Sequence, residues 1–322
     1  MMVSNGYKVD GNTKIYVAGH KGLIGSAFIR RLESDGYKNI ITAAREELEL
    51  TDSECVNDFF SNHKPEVVVL TAGKVGGIIN NRDYPADFIQ ENLSIQLNVF
   101  SAAQKYKVKK LIFFGSSCMY PQETTQPMKE NQLCIGHPEP TSVAYATAKY
   151  AGVQMCQAIN RQNGRVSFIP VIPNSAYGPN DNFDLNSSHV LSALIKRFHE
   201  AKQDNMPSVT LWGTGKPRRE FVYSDDIVDA CLLLLNSDLS NDDLPINIGT
   251  GYDISIKELA GKIKNIIGYT GEIDWDRSKP DGTYEKLLDN SRMKKIGWNA
   301  KVSFPLGLEL VYNWYLKYGN KR

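Results

Sequence analysis

Nowhere in its 322 residues does the chain string together the ~18 apolar residues of a membrane-spanning helix, so no membrane partner is expected. Cysteine is scarce: Cys55, Cys118, Cys134, Cys156 and Cys231 are scattered, odd in number and never spaced Cys-x-x-Cys. That argues against a disulfide framework and against a zinc site, so no metal is expected and any working cysteine is a single reduced thiol. Net charge is also small, formally +1. With neither a basic stripe nor interleaved aromatics, nucleic acid is disfavoured as a partner. Residues 1–13 have neither the basic start nor the apolar stretch of a secretory signal. They read as a short loose extension, and the cytoplasm is the expected compartment. Repeats, long linkers and low-complexity tracts are missing as well. What is present is an ordinary globular balance, 42% hydrophobic and 23% charged, with length for a large domain and a smaller appended part.

Short β-branched runs at 14–19, 39–44, 66–73, 110–117 and 165–173 alternate with amphipathic windows near 23–35, 52–62, 85–106 and 142–161. This order predicts an α/β fold with a doubly wound parallel Rossmann sheet, which binds ligands in the crevice at the carboxyl ends of its strands. Beyond Pro173 the rhythm loosens. Helices are predicted near 189–202 and 224–237, a strand at 246–249, an amphipathic helix within 254–267 and a last helix ending at Tyr318. The expected division is a dinucleotide-binding domain of residues 14–180 plus about 224–250. A smaller, discontinuous α/β substrate domain takes about 181–223 plus 251–322.

Gly19-His20-Lys21-Gly22-Leu23-Ile24-Gly25 lies between the first strand and the first helix. Glycines there permit a tight turn and close approach of backbone to a pyrophosphate, and the helix N-terminus supplies N–H donors. The second predicted strand ends in Ala43-Ala44-Arg45 and not in the acid that holds an NAD ribose. Arg45 with Lys21 therefore favours NADP(H), unless both are merely solvated charges.

Tyr145 and Lys149 are four apart and share a helix face. A cation beside a phenol lowers its pKa and makes it a proton donor and acceptor. Tyr106 and Lys110 show the same spacing, but only Tyr145 follows a strand ending in Gly115-Ser116-Ser117-Cys118. Ser116 and Tyr145 together suit a carbonyl oxygen receiving a hydride at its carbon; the plainer reading of Ser116 is a turn cap.

The segments VAGHKGLIGSA, AAREELELTD, AGKVGGI, YPADFIQENL, FGSSCMYP, YATAKYAG, YGPNDNF, SSHV, KRFHEA, LWGTGKPRREF, NIGTG and SKPDGT run nearly the whole length. In them the chain resembles the GDP-L-fucose synthase family, extended short-chain dehydrogenase/reductases. The resemblance implies an NADPH-dependent enzyme, usually a homodimer packed through Rossmann helices. Such an enzyme inverts carbons 3 and 5 of GDP-4-keto-6-deoxy-D-mannose and then reduces carbon 4. It makes Ser116, Tyr145 and Lys149 the reducing triad, and Cys118 and His189 the epimerisation base and acid. It also implies cofactor contacts at Gly19, Lys21, Gly22, Leu23, Ile24, Gly25, Arg45, Ala72, Gly73, Gly115, Ser116, Lys149, Pro173 and His189. Nucleotide-sugar contacts are implied at Arg197, Trp212, Arg219 and Asp281.

The residue types fit: a 4-keto group acidifies the flanking protons, which a thiolate removes and an imidazole returns. On the residues alone, Cys118 also reads as an inert buried thiol, His189 as a helix cap, Trp212 as core, and Arg197 beside Lys196 as a solvated face. The sequence departs from the family at Ser175, where an Asn is usual before Tyr-Gly-Pro. The alternative it opens is C4 reduction, with or without epimerisation, of another GDP-4-keto-6-deoxy sugar such as a heptose or dideoxy sugar. Two further classes share the fold. A 4,6-dehydratase or 4-epimerase retains NAD, which disagrees with Arg45, and a non-enzymatic NADP sensor would lack the triad.

Overall fold

In the strand Ile15–Ala18 successive side chains go to opposite faces. Ile15 and Val17 enter one apolar layer, Tyr16 and Ala18 the other, and all four are buried. The strands Val67–Leu70 and Lys110–Phe114 are buried throughout in the same way, which is what a parallel sheet covered on both faces requires. The computed structural model describes residues 3–4, 6–185, 187–239, 244–279 and 281–319. Its main sheet has six parallel strands, in the order Ile246–Ile248, Phe168–Pro173, Lys110–Phe114, Val67–Leu70, Ile15–Ala18 and Ile40–Ile41. Helices Leu23–Ser34 and Ser224–Asn236 cover one face; Ser53–His63, Pro85–Lys105 and Val143–Asn163 cover the other. This is the doubly wound arrangement that the alternating pattern predicts.

A third apolar cluster belongs to the helices Val190–Gln203, Ile256–Ile267 and Phe304–Tyr318. They pack with the parallel pair Ser208–Trp212 and Glu272–Asp276. Between this layer and the main sheet runs the strand Arg218–Tyr223. It pairs with Asp253–Ser255, Glu285–Lys286 and Ser175–Tyr177.

Four local expectations need correction. The extension at 1–13 is not wholly loose, because Val3–Ser4 pairs in parallel with Arg165–Val166 and Val9 is buried in the core. The run 165–173 is two strands. The Asn160 amide takes the Ser167 and Phe168 N–H groups (3.0 and 2.9 Å) and donates to the Phe168 carbonyl, so at Ser167 only the carbonyl, which accepts from the Leu111 N–H, still bonds the next strand. The run 39–44 contributes only Ile40–Ile41, an edge strand whose pairing ends at Tyr16. A helix at Ile78–Asp83 occupies a stretch for which no element was expected.

Glu220 joins the two parts. It is fully buried and accepts from the Asn174 amide (2.7 Å), the Leu288 N–H (3.0 Å) and the Gly251 N–H (2.7 Å). Burial pushes its carboxyl up, and those donors oppose the rise. Truncation strands several buried donors at once, so Glu220→Ala should lower stability by about 3 kcal/mol in urea unfolding. A loss below about 1 kcal/mol would mean that the donors find other partners.

Candidate active site

Gly19 follows the first strand of the main sheet with φ +84°, and a Cβ there would stand 2.8 Å from the Ala72 backbone nitrogen. A Cβ on Gly25 would meet the Gly19 carbonyl oxygen at 2.1 Å. Both positions exclude any side chain, so the loop stays close to the neighbouring strand end. Gly22 caps the helix Leu23–Ser34 without a side-chain hydrogen bond, leaving the amides of Leu23, Ile24 and Gly25 to an anion. Beside them, a Cβ on Gly73 would lie 2.6 Å from Asn92 Oδ1 and 3.6 Å from Lys149 Nζ. Asn92 Oδ1 is itself buried without a hydrogen-bond partner. This hollow, built by glycines and holding an unsatisfied acceptor, fits a dinucleotide.

Arg45 lies in a turn beyond the short edge strand and pairs with Glu49 (2.8 Å) and Glu91 (3.2 Å). A 2′-phosphate there would share the guanidinium with two carboxylates. Lys21 is exposed and, among the described residues, carries no ion pair.

Ser116, after the strand Lys110–Phe114, caps the single turn Ser117–Met119 by accepting from the Cys118 N–H at 3.2 Å. Its hydroxyl is also the side-chain partner of Tyr145, so the cap leaves it beside the phenol. Lys149 is buried, and its ammonium donates to the Phe114 carbonyl at 2.9 Å. It lies 5.9 Å from the centre of the Tyr145 ring. The expected lowering of the phenol is not found. Burial, reinforced by Cys118, raises the Tyr145 pKa while Ser116 opposes the rise. The same desolvation brings the Lys149 ammonium down to about 8, because a water-free site disfavours both charged forms.

Cys118 is half-buried and so is not a core thiol. The Lys286 ammonium lies 3.7 Å from its sulfur, and Arg219 and Tyr145 are near enough to feel its charge. Next to it is a cavity of about 10 Å³ lined by Glu139, Thr283, Glu285 and Lys286, the size of one water. Arg219 has no carboxylate partner among the described residues, and one of its N–H groups donates to the Arg218 carbonyl at 2.7 Å.

His189 is exposed and occupies the N-cap position of the helix Val190–Gln203, where its side chain makes no capping hydrogen bond. It sits near the buried Asp181, whose carboxyl burial raises and whose charge His189 and Ser192 favour. No hydrogen bond joins His189 to Cys118. Arg197 is half-buried without an ion pair among the described residues. Trp212 is 51% exposed beneath the Lys279 ammonium, so it is not core. Asp281 spends its carboxylate on Thr214, at 2.6 Å to the N–H and 2.8 Å to the hydroxyl. Pro173 ends its strand beside Ile248. Sequence reasoning missed Lys286, Asp181 and Asn92: Lys286 and Asn92 come beside Cys118 and Gly73 through tertiary contact, and Asp181 lies beside His189 with no motif to mark it.

A parallel sheet with a glycine phosphate loop and a Ser116–Tyr145–Lys149 constellation at its carboxyl edge defines an extended short-chain dehydrogenase/reductase. The model of the NAD dependent epimerase/dehydratase family matches residues 15–249. GDP-L-fucose synthase 1 of Arabidopsis thaliana is 48% identical over 310 residues, 96% of this chain and 94% of that one. The GDP-L-fucose synthase of Escherichia coli is 45% identical over 311 residues, 94% of this chain and 97% of that one. A GDP-mannoheptose C4 reductase of Campylobacter jejuni, solved with NADP bound, superimposes with a TM-score of 0.88 at 40% identity over 96% of this chain and 99% of that one. The chain therefore belongs to the NAD dependent epimerase/dehydratase family and, within it, to the GDP-L-fucose synthases.

Lys149 supplies a pH test. Between about pH 8, its folded value, and the ordinary lysine value near ~10.4, the unfolded chain holds a proton that the folded chain has lost. Stability then rises with pH. Lys149→Met should flatten that slope in Tm measurements of the cofactor-free protein. Identical slopes in the two proteins would place the lysine titration outside this window.

Proposed function

We propose that the chain is an NADPH-dependent enzyme that epimerises carbons 3 and 5 and reduces carbon 4 of GDP-4-keto-6-deoxy-D-mannose, giving GDP-L-fucose. The observation that carries this is the meeting of Ser116, Cys118 and Tyr145 at one strand end, in a chain nearly half identical to GDP-L-fucose synthases. A reductase alone needs only the two hydroxyls; the thiol gives the same pocket a base.

NADPH supplies the hydride. The glycine loop, Ala72, Gly73, Gly115 and Pro173 would hold it, with Lys21 and Arg45 on the 2′-phosphate side. Ser116 and Tyr145 hold the C4 oxygen, and Tyr145, kept protonated by burial, hands its proton to that oxygen as the alcohol forms. Lys149 keeps a positive charge beside the phenolate left behind. Cys118 removes the proton at carbon 3 or 5 and His189 delivers one to the opposite face. Arg197 and Arg219, which lack carboxylate partners among the described residues, take the diphosphate; Trp212 and Asp281 face the nucleotide.

The same division makes residues 14–180 with about 224–250 the cofactor domain and 181–223 with 251–322 the sugar domain. A cytoplasmic homodimer is the proposed form. Its contact is through the helices Pro85–Lys105 and Val143–Asn163, the first of which exposes Leu97. No helix among the described residues is long and apolar enough to cross a membrane.

The second reading, C4 reduction of a GDP-heptose or dideoxy sugar, is favoured by the likeness to a heptose reductase and by Ser175, half-buried at the end of the sheet. The two readings separate in an NADPH-oxidation assay with GDP-4-keto-6-deoxy-D-mannose in deuterated water. GDP-L-fucose carrying deuterium at carbons 3 and 5 is expected. Tyr145→Phe should slow reduction by about 10²–10⁴-fold, and Cys118→Ser and His189→Asn should remove the deuterium. NADPH consumption without exchange would leave a reductase alone.

A further inference from the structure

Lys286 is half-buried, and among the described residues it makes no ion pair with a carboxylate. The polar group within its reach is the Cys118 sulfur at 3.7 Å. Its backbone is fixed from two sides, which matters for a side chain with four rotatable bonds. The short strand Glu285–Lys286 pairs with Arg218 and Arg219. The Gln126 amide clamps Leu287 N–H and the Glu285 carbonyl at 2.9 and 3.2 Å, and the Asn174 amide donates to the Lys286 carbonyl at 3.1 Å.

We propose that Lys286 is the positioning residue of Cys118, its ammonium holding the sulfur in the cleft and stabilising the thiolate. This role rests on the reading of Cys118 as the epimerisation base. A cation next to a thiol favours its charged, nucleophilic form. The groups facing the sulfur are Lys286 and Arg219 from two paired strands, Tyr145 from the helix Val143–Asn163, and Glu139 and Glu285 around the small cavity. Glu139 is engaged by the Thr141 hydroxyl, and the Arg219 guanidinium is directed in part to a backbone carbonyl. Lys286 is the cation within hydrogen-bond reach.

In the exchange step the C–H bond at carbon 3 or 5 breaks and an S–H bond forms. The freed electron pair passes to the C4 oxygen as an enolate. When His189 re-forms the C–H bond on the other face the pair returns. Cys118 has then gained the proton that His189 lost, and exchange with solvent restores both. The thiolate must be regenerated after each inversion, with the ammonium in place throughout.

The test uses the full-length enzyme and iodoacetamide, with modification of Cys118 followed by peptide mass spectrometry and exposed Cys55 as reference in the same sample. Lys286→Met should slow alkylation of Cys118 about tenfold or more at pH 7 and move its rise to higher pH. Deuterium exchange at carbons 3 and 5 should fall in parallel, and Lys286→Arg should restore both; Lys286→Gln repeats the test if Lys286→Met folds poorly. An unchanged ratio of Cys118 to Cys55 alkylation, with KM alone raised, would assign the ammonium to the substrate diphosphate and end the proposal. If alkylation depends on Lys286 in an enzyme that shows no exchange, the pairing stands and the epimerase reading falls.

Discussion

The buried ammonium of Lys149, which donates to the Phe114 carbonyl at 2.9 Å, ties a helix to the carboxyl edge of the sheet just before Ser116 and Cys118. An unsolvated cation in an apolar layer is costly, and a backbone carbonyl at a strand end is one of the few partners a parallel sheet offers it. Much else follows from that contact. Tyr145, one turn back on the same face, is carried to Ser116, the second residue beyond Phe114. Gly73 beyond the neighbouring strand end lies beside the same group: a Cβ there would stand at ordinary contact distance, 3.6 Å, from the ammonium and would crowd Asn92 Oδ1 at 2.6 Å. Three elements distant in sequence are thereby held to one geometry.

Burial gives the site its electrostatic character. Tyr145 and Lys149 share one desolvated layer, which penalises phenolate and ammonium together. A phenol that stays protonated is an acid, and reduction of a ketone needs an acid at the oxygen. Cys118 is two residues from Ser116 but half-exposed, with two cations facing it. One turn of three residues, Ser117–Met119, thus separates a buried phenol and its serine from a half-buried thiol faced by cations. The pair of environments is a general device for running acid and base chemistry side by side.

How much of this could be read from sequence depends on whether the cause was local. VVVL and KLIFF identify their strands because burial on both faces leaves unbroken apolar runs. Ser116, Cys118, Tyr145 and Lys149 are legible because their spacing lies on one turn and one helix face. The edge strand was overlong in prediction because ITAA remains β-prone after its pairing partner has ended at Tyr16. The helix Ile78–Asp83 was hidden because IINNRD follows two glycines and is too short to show a period. Arg45 was read from its place after a strand, whereas its pairing with Glu91 spans 46 residues and has no local sign. Glu220 and Lys286 are less legible still. The register that sets Arg219 opposite Lys286 exists only after both parts of the chain have folded.

That register also couples the two parts of the chain. The strand Arg218–Tyr223 touches Ser175–Tyr177 at one end and Glu285–Lys286 at the other, so it carries Arg219 between the cofactor edge and the thiol. Glu220, its next residue, faces away and is locked by Asn174 and Gly251. Adjacent side chains on a strand point to opposite faces, so the lock and Arg219 cannot move independently. Ser175 pairs with Phe221 on this same strand. A change at position 175 therefore acts on the strand that carries Arg219 and Glu220 together, one residue from the Asn174 amide that holds Glu220.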